Sequence, residues 1–314
     1  MIESGTLTPG VSAEDWMLPP HTAMRVELPA EVLADYIHSY HVFDSDDPAQ
    51  EGTVDWELPS PPMIRFTLSG APMLAAAGSR RFAAAGATLW GATSRAKKLA
   101  VPRDGPTFGA MLTPLGWAAL FPAPASAIRD RVVALEGMMS VDMIQQVMAT
   151  LRDADRGEDA KPILDHFFAS QLRLPVRDES EIRAVIDLLA AREPQLLADA
   201  AQELNIPSHR LRRIAERCFG FPPKTLQTRS RFLRVFVRML LSGNADYGQL
   251  PDSYYDSSHF LRDGNRFLGM TPRRFLAMGT PFLCAGLRAH ASVLRASRAQ
   301  PKAEGPSLPS LAAA

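Results

Sequence analysis

Cysteine is almost missing from this chain of 314 residues. Only Cys218 and Cys284 are present, so neither a disulfide framework nor a thiolate zinc site can be built. No apolar run reaches the roughly 18 residues of a membrane span. The first residues lack a basic-then-apolar leader, so no membrane partner is expected and a cytoplasmic location is. Common catalytic signatures are missing as well: no G-x-S-x-G elbow, no H-x-H cluster, no G-x-x-x-x-G-K-[ST] loop and no C-x-x-C pair. No enzyme activity, cofactor or metal is therefore expected. His38 and His41 stand three apart, but with no acidic motif at ligand spacing they read as surface or packed histidines.

Net charge is absent too, with 34 Lys and Arg against 34 Asp and Glu. It is unevenly spread. Residues 1–177 hold 15 basic against 21 acidic side chains, whereas 178–278 hold 15 against 12. Between Asn205 and Leu240, nine basic residues face the single acid Glu216. An acidic first half joined to a locally basic second half suits a sensor attached to a nucleic-acid reader.

The length accommodates more than one core. Residues 1–22, rich in Pro, Gly and Thr, are expected as a flexible arm. In 29–43, Val32, Leu33, Tyr36, Ile37 and Tyr40 recur at helical spacing and predict a short amphipathic helix, followed by an acidic loop through Gly52. From 56 to 113, short segments broken by Gly, Pro or charge about every ten residues predict an antiparallel sheet or small barrel. A short helix ended by Pro122 and a second helical or turn segment complete a domain over 23–137. Trp56, Phe66, Trp90, Phe108 and Met111 read first as core and second as the lining of a small-molecule pocket. Residues 138–177 carry two amphipathic helices around a charged turn, their apolar stripes packing within the chain or against a second copy.

The helical half, 178–278, is the most legible. Ile182, Val185, Ile186, Leu188 and Leu189 predict one buried face. Pro194 opens a second helix with Leu196, Leu197, Ala200, Ala201 and Leu204 inward. After the turn at 205–207, Ser208 caps a third helix with Leu211, Ile214 and Cys218 inward. Two short helices around so tight a turn are a helix-turn-helix, the second being the recognition helix. A long helix over 222–243 follows. The text YYDSSHFLRDGNRFLGMTPRRF (254–275) then gives another: Asp256 and Ser257 offer caps, Phe260, Phe267 and Leu268 anchor one face, and Gly269 stops it. The tail, 279–314, begins apolar and ends rich in Ala, Pro and Ser.

This last text resembles the second helix-turn-helix of the AraC/XylS family of transcription regulators, of the form G-Y-Y-D-Q-S-H-F-x-R-D-F-x-R-F-x-G-x-T-P. Residues 197–220 resemble the family's first unit. More loosely, LPSPPMIRFTLSG, Gly91 and PLGWAALF…IRDRVVALE are similar to the small N-terminal domain that such regulators often carry. The resemblance implies an α+β chain: an N-terminal antiparallel β-sheet or barrel with flanking helices, and a C-terminal all-α domain with two helix-turn-helix units joined by a long helix. It implies DNA contacts by Ser208, His209, Arg210, Arg212, Arg213 and Arg217 in the first unit. In the second they fall to Ser257, Ser258, His259, Arg262 and Arg266. His209, Arg212 and Arg213 match positions that reach base edges, while Arg210 and Arg217 suit phosphate, as do Lys224, Thr271 and Arg273. The implied partners are double-stranded DNA, RNA polymerase, a small-molecule effector and a second copy of the chain.

Three departures from the pattern stand out, two of which weaken the second unit. The supporting helix carries Gly248, Pro251 and Asp252, Gly264 replaces a Phe, and Pro207 stands at the first unit's Ser cap. A diverged module that titrates a partner regulator without reading DNA is the alternative class.

Overall fold

The computed structural model describes residues 1–46, 53–101, 105–155, 157–190, 197–244, 246, 247, 250, 254 and 256–299. The acidic loop after Asp46, the helix start at Pro194 with Leu196, most of the support helix around Pro251, and the tail from Gln300 lie outside the described residues.

The N-terminal half is built from antiparallel strands: β1 (Thr22–Glu27), β2 (Ile37–Ser45), β3 (Thr53–Glu57), β4 (Met63–Thr67), β5 (Met73–Ala77), β6 (Arg80–Ala84), β7 (Gly86–Trp90), β8 (Lys97–Val101), β9 (Thr107–Leu112) and β10 (Val132–Ala134). They form a six-stranded sheet in the order β1-β2-β9-β4-β7-β10 and a four-stranded sheet in the order β3-β8-β5-β6. Strand alternation gives the larger sheet two different faces. Ile64, Phe66, Phe108 and Ala110, fully buried, face helices α2 (Val141–Asp153) and α3 (Ala160–Gln171), whose Ile144, Val147, Leu164 and Phe167 complete the main core. The neighbouring residues Met63 and Met111 face the smaller sheet, packing with Met73, Ala75 and Trp90.

The helical half comprises α4 (Glu179–Ala190), α5 (Leu197–Glu203), α6 (Ser208–Phe219), α7 (Pro223–Ser242), α8 (Ser257–Leu268), α9 (Pro272–Leu276) and α10 (Pro281–Ala299). Helix α1 (Pro114–Leu120) leaves the sheet and packs against α4 and α6. A second helical core gathers Phe232 and Phe236 of α7, Phe260 and Phe267 of α8 and Phe275 of α9. Its rings lie 5.3–5.7 Å apart in stacked, tilted and edge-on pairs. This is the α+β layout expected from the sequence.

Four local expectations are corrected. The helix expected over 29–43 is a 3-10 turn (Glu31–Leu33) followed by β2. A register shift between Ile37 and Ser39 inserts one residue, so Ile37 and Tyr40 face the same core at a spacing of three, which imitates a helix. Val32, assigned to the apolar face, is 77% exposed. The arm is held: Gly5 bridges Arg25 in parallel, and the carboxylate of Glu27 accepts from the Leu7 amide and the Thr6 hydroxyl. The segment before α2 has the expected helical turns, at Ala125–Ile128 and Leu135–Gly137, but between them it also contributes β10, which the helical reading omitted. Finally, the apolar start of the tail is a 19-residue helix, α10, laid across the sheet domain.

That last helix joins the halves. Trp16, with no exposed surface, donates its indole N–H to Ser292 at 3.1 Å, and Ala289 and Val293 pack on Met24 and Val26. The first turn of α10 is capped from the other domain: Oδ2 of Asp55 on β3 accepts from the amides of Phe282 and Leu283 at 2.6 and 3.0 Å. A second joint runs through residues 91–97. Ala92 packs on Ala215 and Phe221, and the Thr93 carbonyl accepts from Arg229 of α7 at 3.0 Å. The Ala96 amide donates to the carbonyl of Phe267 at the end of α8 at 2.7 Å. Gly220 needs its glycine here: its φ is 82°, and a Cβ would lie 3.2 Å from that of Ala92.

Candidate nucleic-acid interface

Helix α6 forms because Leu211, Ile214, Ala215 and Cys218 recur on one side, and these four are buried while the other side is polar. The turn into it passes through Asn205 at φ 51°, a conformation Asn tolerates well. Ser208 is the first residue of the helix rather than its cap; Pro207 holds the cap position and makes no side-chain cap bond. Ser208, His209, Arg212 and Arg213 are exposed on the outward face. Arg212 is braced by Glu216 one turn on, at 3.0 Å, an exposed pair of small energetic value that fixes direction more than stability.

Arg210 and Arg217 are placed differently. Arg210 binds Glu181 at 2.7 Å and approaches Asp178 at 3.5 Å; Arg217 binds Asp178 at 2.9 Å. These pairs tie α6 to the entry of α4. The Glu181 carboxylate, by hydrogen bonding, raises the Arg210 pKa. Both guanidinium groups therefore brace the domain, leaving the outward face to the residues on either side.

The second unit is organised around α8. Asp256 caps it, accepting from the His259 amide at 2.8 Å, and that bond holds the Asp256 carboxyl below its ordinary pKa. Gly269 closes the helix at φ 76°. Ser257, Ser258, His259, Arg262 and Arg266 lie on the outer side of the helix, with Arg266 held at 3.3 Å by the hydroxyl of Thr225. Asp263 is the internal tie, accepting from Arg231 of α7 at 2.9 Å and from the hydroxyl of Tyr254 at 3.0 Å. Gly264 is no vacancy in the core: a Cβ would meet the Pro272 ring at 2.5 Å, so α8 and α9 pack more closely than a larger side chain would allow. Lys224 and Arg273 are exposed near the starts of α7 and α9, and Thr271 spends its hydroxyl capping α9. Helix α7, with 20 residues, separates the two units by a rod about 30 Å long.

Of the five candidate effector-pocket residues, the structure brings two together. Trp56 and Met111 line a cavity of about 390 Å3 between the sheet domain, α7 and α10. Phe66 and Phe108 are not on it, because alternation turns them to the opposite face of the sheet, under α2 and α3. Trp90 lies behind the cavity wall, with the Arg65 guanidinium 4.5 Å and the Lys97 ammonium 4.7 Å from its ring. Residues not anticipated from the sequence complete the lining, among them His41, Arg65, Glu57, Leu233, Leu287 and His290.

Glu57 forms ion pairs with both Arg65 and Lys97. Burial pushes the Glu57 carboxyl up, but the two cations outweigh it and hold it at about 2. Burial lowers the Lys97 pKa, with Arg65 adding to the effect and Glu57 opposing it. Burial, with smaller effects from His290, His38 and Arg65, lowers His41 to about 3, and burial with His38 lowers His290 to about 4. Among the described residues no group of three or more His, Cys, Asp or Glu is placed to hold a metal ion. Nor is any described helix long and apolar enough to cross a membrane.

Residues 25–134 match the model of a domain of unknown function, DUF6597. No curated protein matches the sequence. Among solved structures, ToxT from Vibrio cholerae is similar at 12% identity and a TM-score of 0.42, over 82% of this chain and 98% of that one. The apo form of a ToxT variant with one lysine replaced by alanine is similar at 11% identity and a TM-score of 0.41, over 83% and 98%. The AraC-like transcriptional activator CuxR is similar at 11% identity and a TM-score of 0.24, over 71% of this chain and 89% of that one.

Proposed function

We propose that the chain is a sequence-specific DNA-binding transcription regulator of the AraC/XylS type, reading adjacent major-groove segments with α6 and α8 under control of a small molecule held in the interdomain cavity. The observation that carries this reading is the paired presentation of two polar, basic helix faces on one rod. His209, Arg212 and Arg213 project from α6, and Ser258, His259 and Arg262 from α8, while the apolar anchors of both are turned inward. Arginine at such a position forms two parallel hydrogen bonds to guanine, and short polar residues near a recognition helix start reach neighbouring base edges. Arg212, with its direction set by Glu216, and Arg213 are the leading base readers; Lys224 and Arg273 are placed for phosphate.

The cavity supports the effector half of the reading. It lies where ligand contact reaches both domains at once, since its walls include β2, β3, β4, β9, α7 and α10. RNA polymerase and a second copy of the chain complete the proposed set of partners. Electrophoretic shift on a duplex pool tests the DNA half: binding should weaken steeply as salt rises, because phosphate contacts release counterions. A protein that binds no duplex at low salt but captures another regulator would establish the titrating module instead.

A further inference from the structure

The polar floor of the interdomain cavity is a row laid across three neighbouring strands. Both β2 and β4 pair with β9, and at one level of the sheet His41, Gly109 and Arg65 stand side by side. Gly109 has no side chain, and the flexible Met63 thioether lies over it, its sulfur 3.1 Å from where a Cβ would stand. The surrounding wall is overwhelmingly apolar.

The cations at this floor are poorly used as donors, and the other carboxylate on the lining, Asp55, has its Oδ2 turned to the amides of α10. Arg65 and Lys97, 7% and 3% exposed, share the single carboxylate of Glu57. Arg65 spends one terminal nitrogen on Glu57 and points its Nε and other Nη at the sulfurs of Met63 and Met73, at 3.1 and 3.2 Å. Thioethers are weak acceptors, so these donors of the guanidinium are poorly used in a place where desolvation is costly. The lining also holds two buried polar atoms with no hydrogen-bond partner among the described residues, Thr107 Oγ1 and His290 Nδ1.

We infer that the cavity takes an amphipathic anion: an apolar body ending in a carboxylate or comparable oxyanion, its head over Gly109 against Arg65 and its body beneath Leu283 and Leu287 of α10. This rests on the proposal that the cavity holds the effector, and adds the ligand's chemical class. An oxyanion replaces the two thioethers as acceptor and forms charge-assisted bonds to Arg65. Neutral His41 limits the head to one side without adding a second charge, and the apolar walls select the body. A cationic head meets Arg65 and Lys97 and is rejected.

Calorimetric titration of the full chain with octanoate, octanol and octylamine, which share one body and differ in the head, tests the inference. Octanoate is expected to bind at least roughly tenfold more tightly than octanol, and octylamine more weakly than either. Octyl phosphate, run alongside, tells which oxyanion is preferred, and tight binding of either supports the class. Arg65→Met should reduce octanoate to the level of octanol. Gly109→Ala, whose added methyl meets only a flexible methionine, should weaken octanoate while leaving the circular dichroism spectrum unchanged. Equal binding of octanol and octanoate, or retention of the preference in Arg65→Met, overturns the anion while leaving a cavity effector in place. If none of the four binds, the inference falls; the DNA reading is judged separately by its own shift assay.

Discussion

Replacing Asp55 by alanine would test how the two halves are coupled. Among the described residues its carboxylate caps the first turn of α10, and it reaches there from β3, far earlier in the chain. Loss of an N-cap costs about 1 kcal/mol, and leaving two partly buried amides without an acceptor raises this to about 2 kcal/mol. The ionised form contributes less than its three backbone bonds suggest. Burial is the largest influence on Asp55 and raises its pKa, against the opposing amides of Trp56, Leu283 and Phe282. A neutral acceptor should therefore serve nearly as well: Asp55→Asn is expected to cost under about 1 kcal/mol. Hydrogen exchange read by mass spectrometry on the Phe282 to Leu287 peptides is the direct assay, because a multidomain chain need not melt in one step. Faster exchange there in Asp55→Ala, with the sheet peptides unchanged and Asp55→Asn close to wild type, is the expected pattern. Unchanged exchange in Asp55→Ala would refute the cap. An Asn variant as damaged as the Ala variant would make the charge, not the acceptor, the operative feature.

Four further outcomes follow from the same geometry. Gly264→Ala should lower the melting temperature of the helical half, since clashing with the Pro272 ring at 2.5 Å outweighs the roughly 1 kcal/mol of helix propensity gained; a raised melt would mean α9 moves away freely. Arg213→Ala should weaken binding to a preferred duplex by roughly tenfold and relax one base position, without moving the melt. Arg210→Ala should instead lower the melt, because Glu181 and Asp178 lose their partner; the reverse assignment of effects would exchange the roles given to the two residues. His290, held at about 4 in the folded chain, titrates near 6.5 once unfolded. The unfolded chain binds the extra proton between these values, so stability is lost as pH falls from about 6.5 to about 4, by an amount on the order of 2 kcal/mol after allowance for partial exposure. Melts at about pH 7 and pH 4.5 should show a smaller acid loss in His290→Gln; an equal loss in both would assign it to other groups, His41, His38 or carboxylates.

Helices α6 and α8 were legible in the sequence because their inward residues recur with a clean helical period and nothing interrupts them: Leu211, Ile214 and Cys218 in one, Phe260, Phe267 and Leu268 in the other. Strand β2 was not, because its bulge moved Tyr40 into helical phase with Ile37. The cavity was only half visible. Trp56 and Met111 were chosen by residue type, as were Phe66 and Phe108, and type says nothing of which sheet face looks toward α10. A usable signal lay in MIRFT (63–67), where an arginine alternates with fully buried neighbours and so must share a face with Met63. The docking of α10, and with it His41, His290 and the Asp55 cap, depends on residues far apart in the chain, which no local pattern encodes. The family resemblance gave Arg210 and Arg217 to phosphate; their acidic partners, Asp178 and Glu181, sit outside the helix and are joined to it only by the fold.

Selection of preferred duplexes from a random pool by the full chain, followed by footprinting of the winners, addresses the central claim most directly. Two protected segments are expected on one face of the DNA, centred about 34 Å apart, with the segment contacted by α6 lost when Arg212 and Arg213 are both replaced by alanine. Recovery of no enriched sequence at low salt, or footprints indifferent to that double replacement, would contradict it.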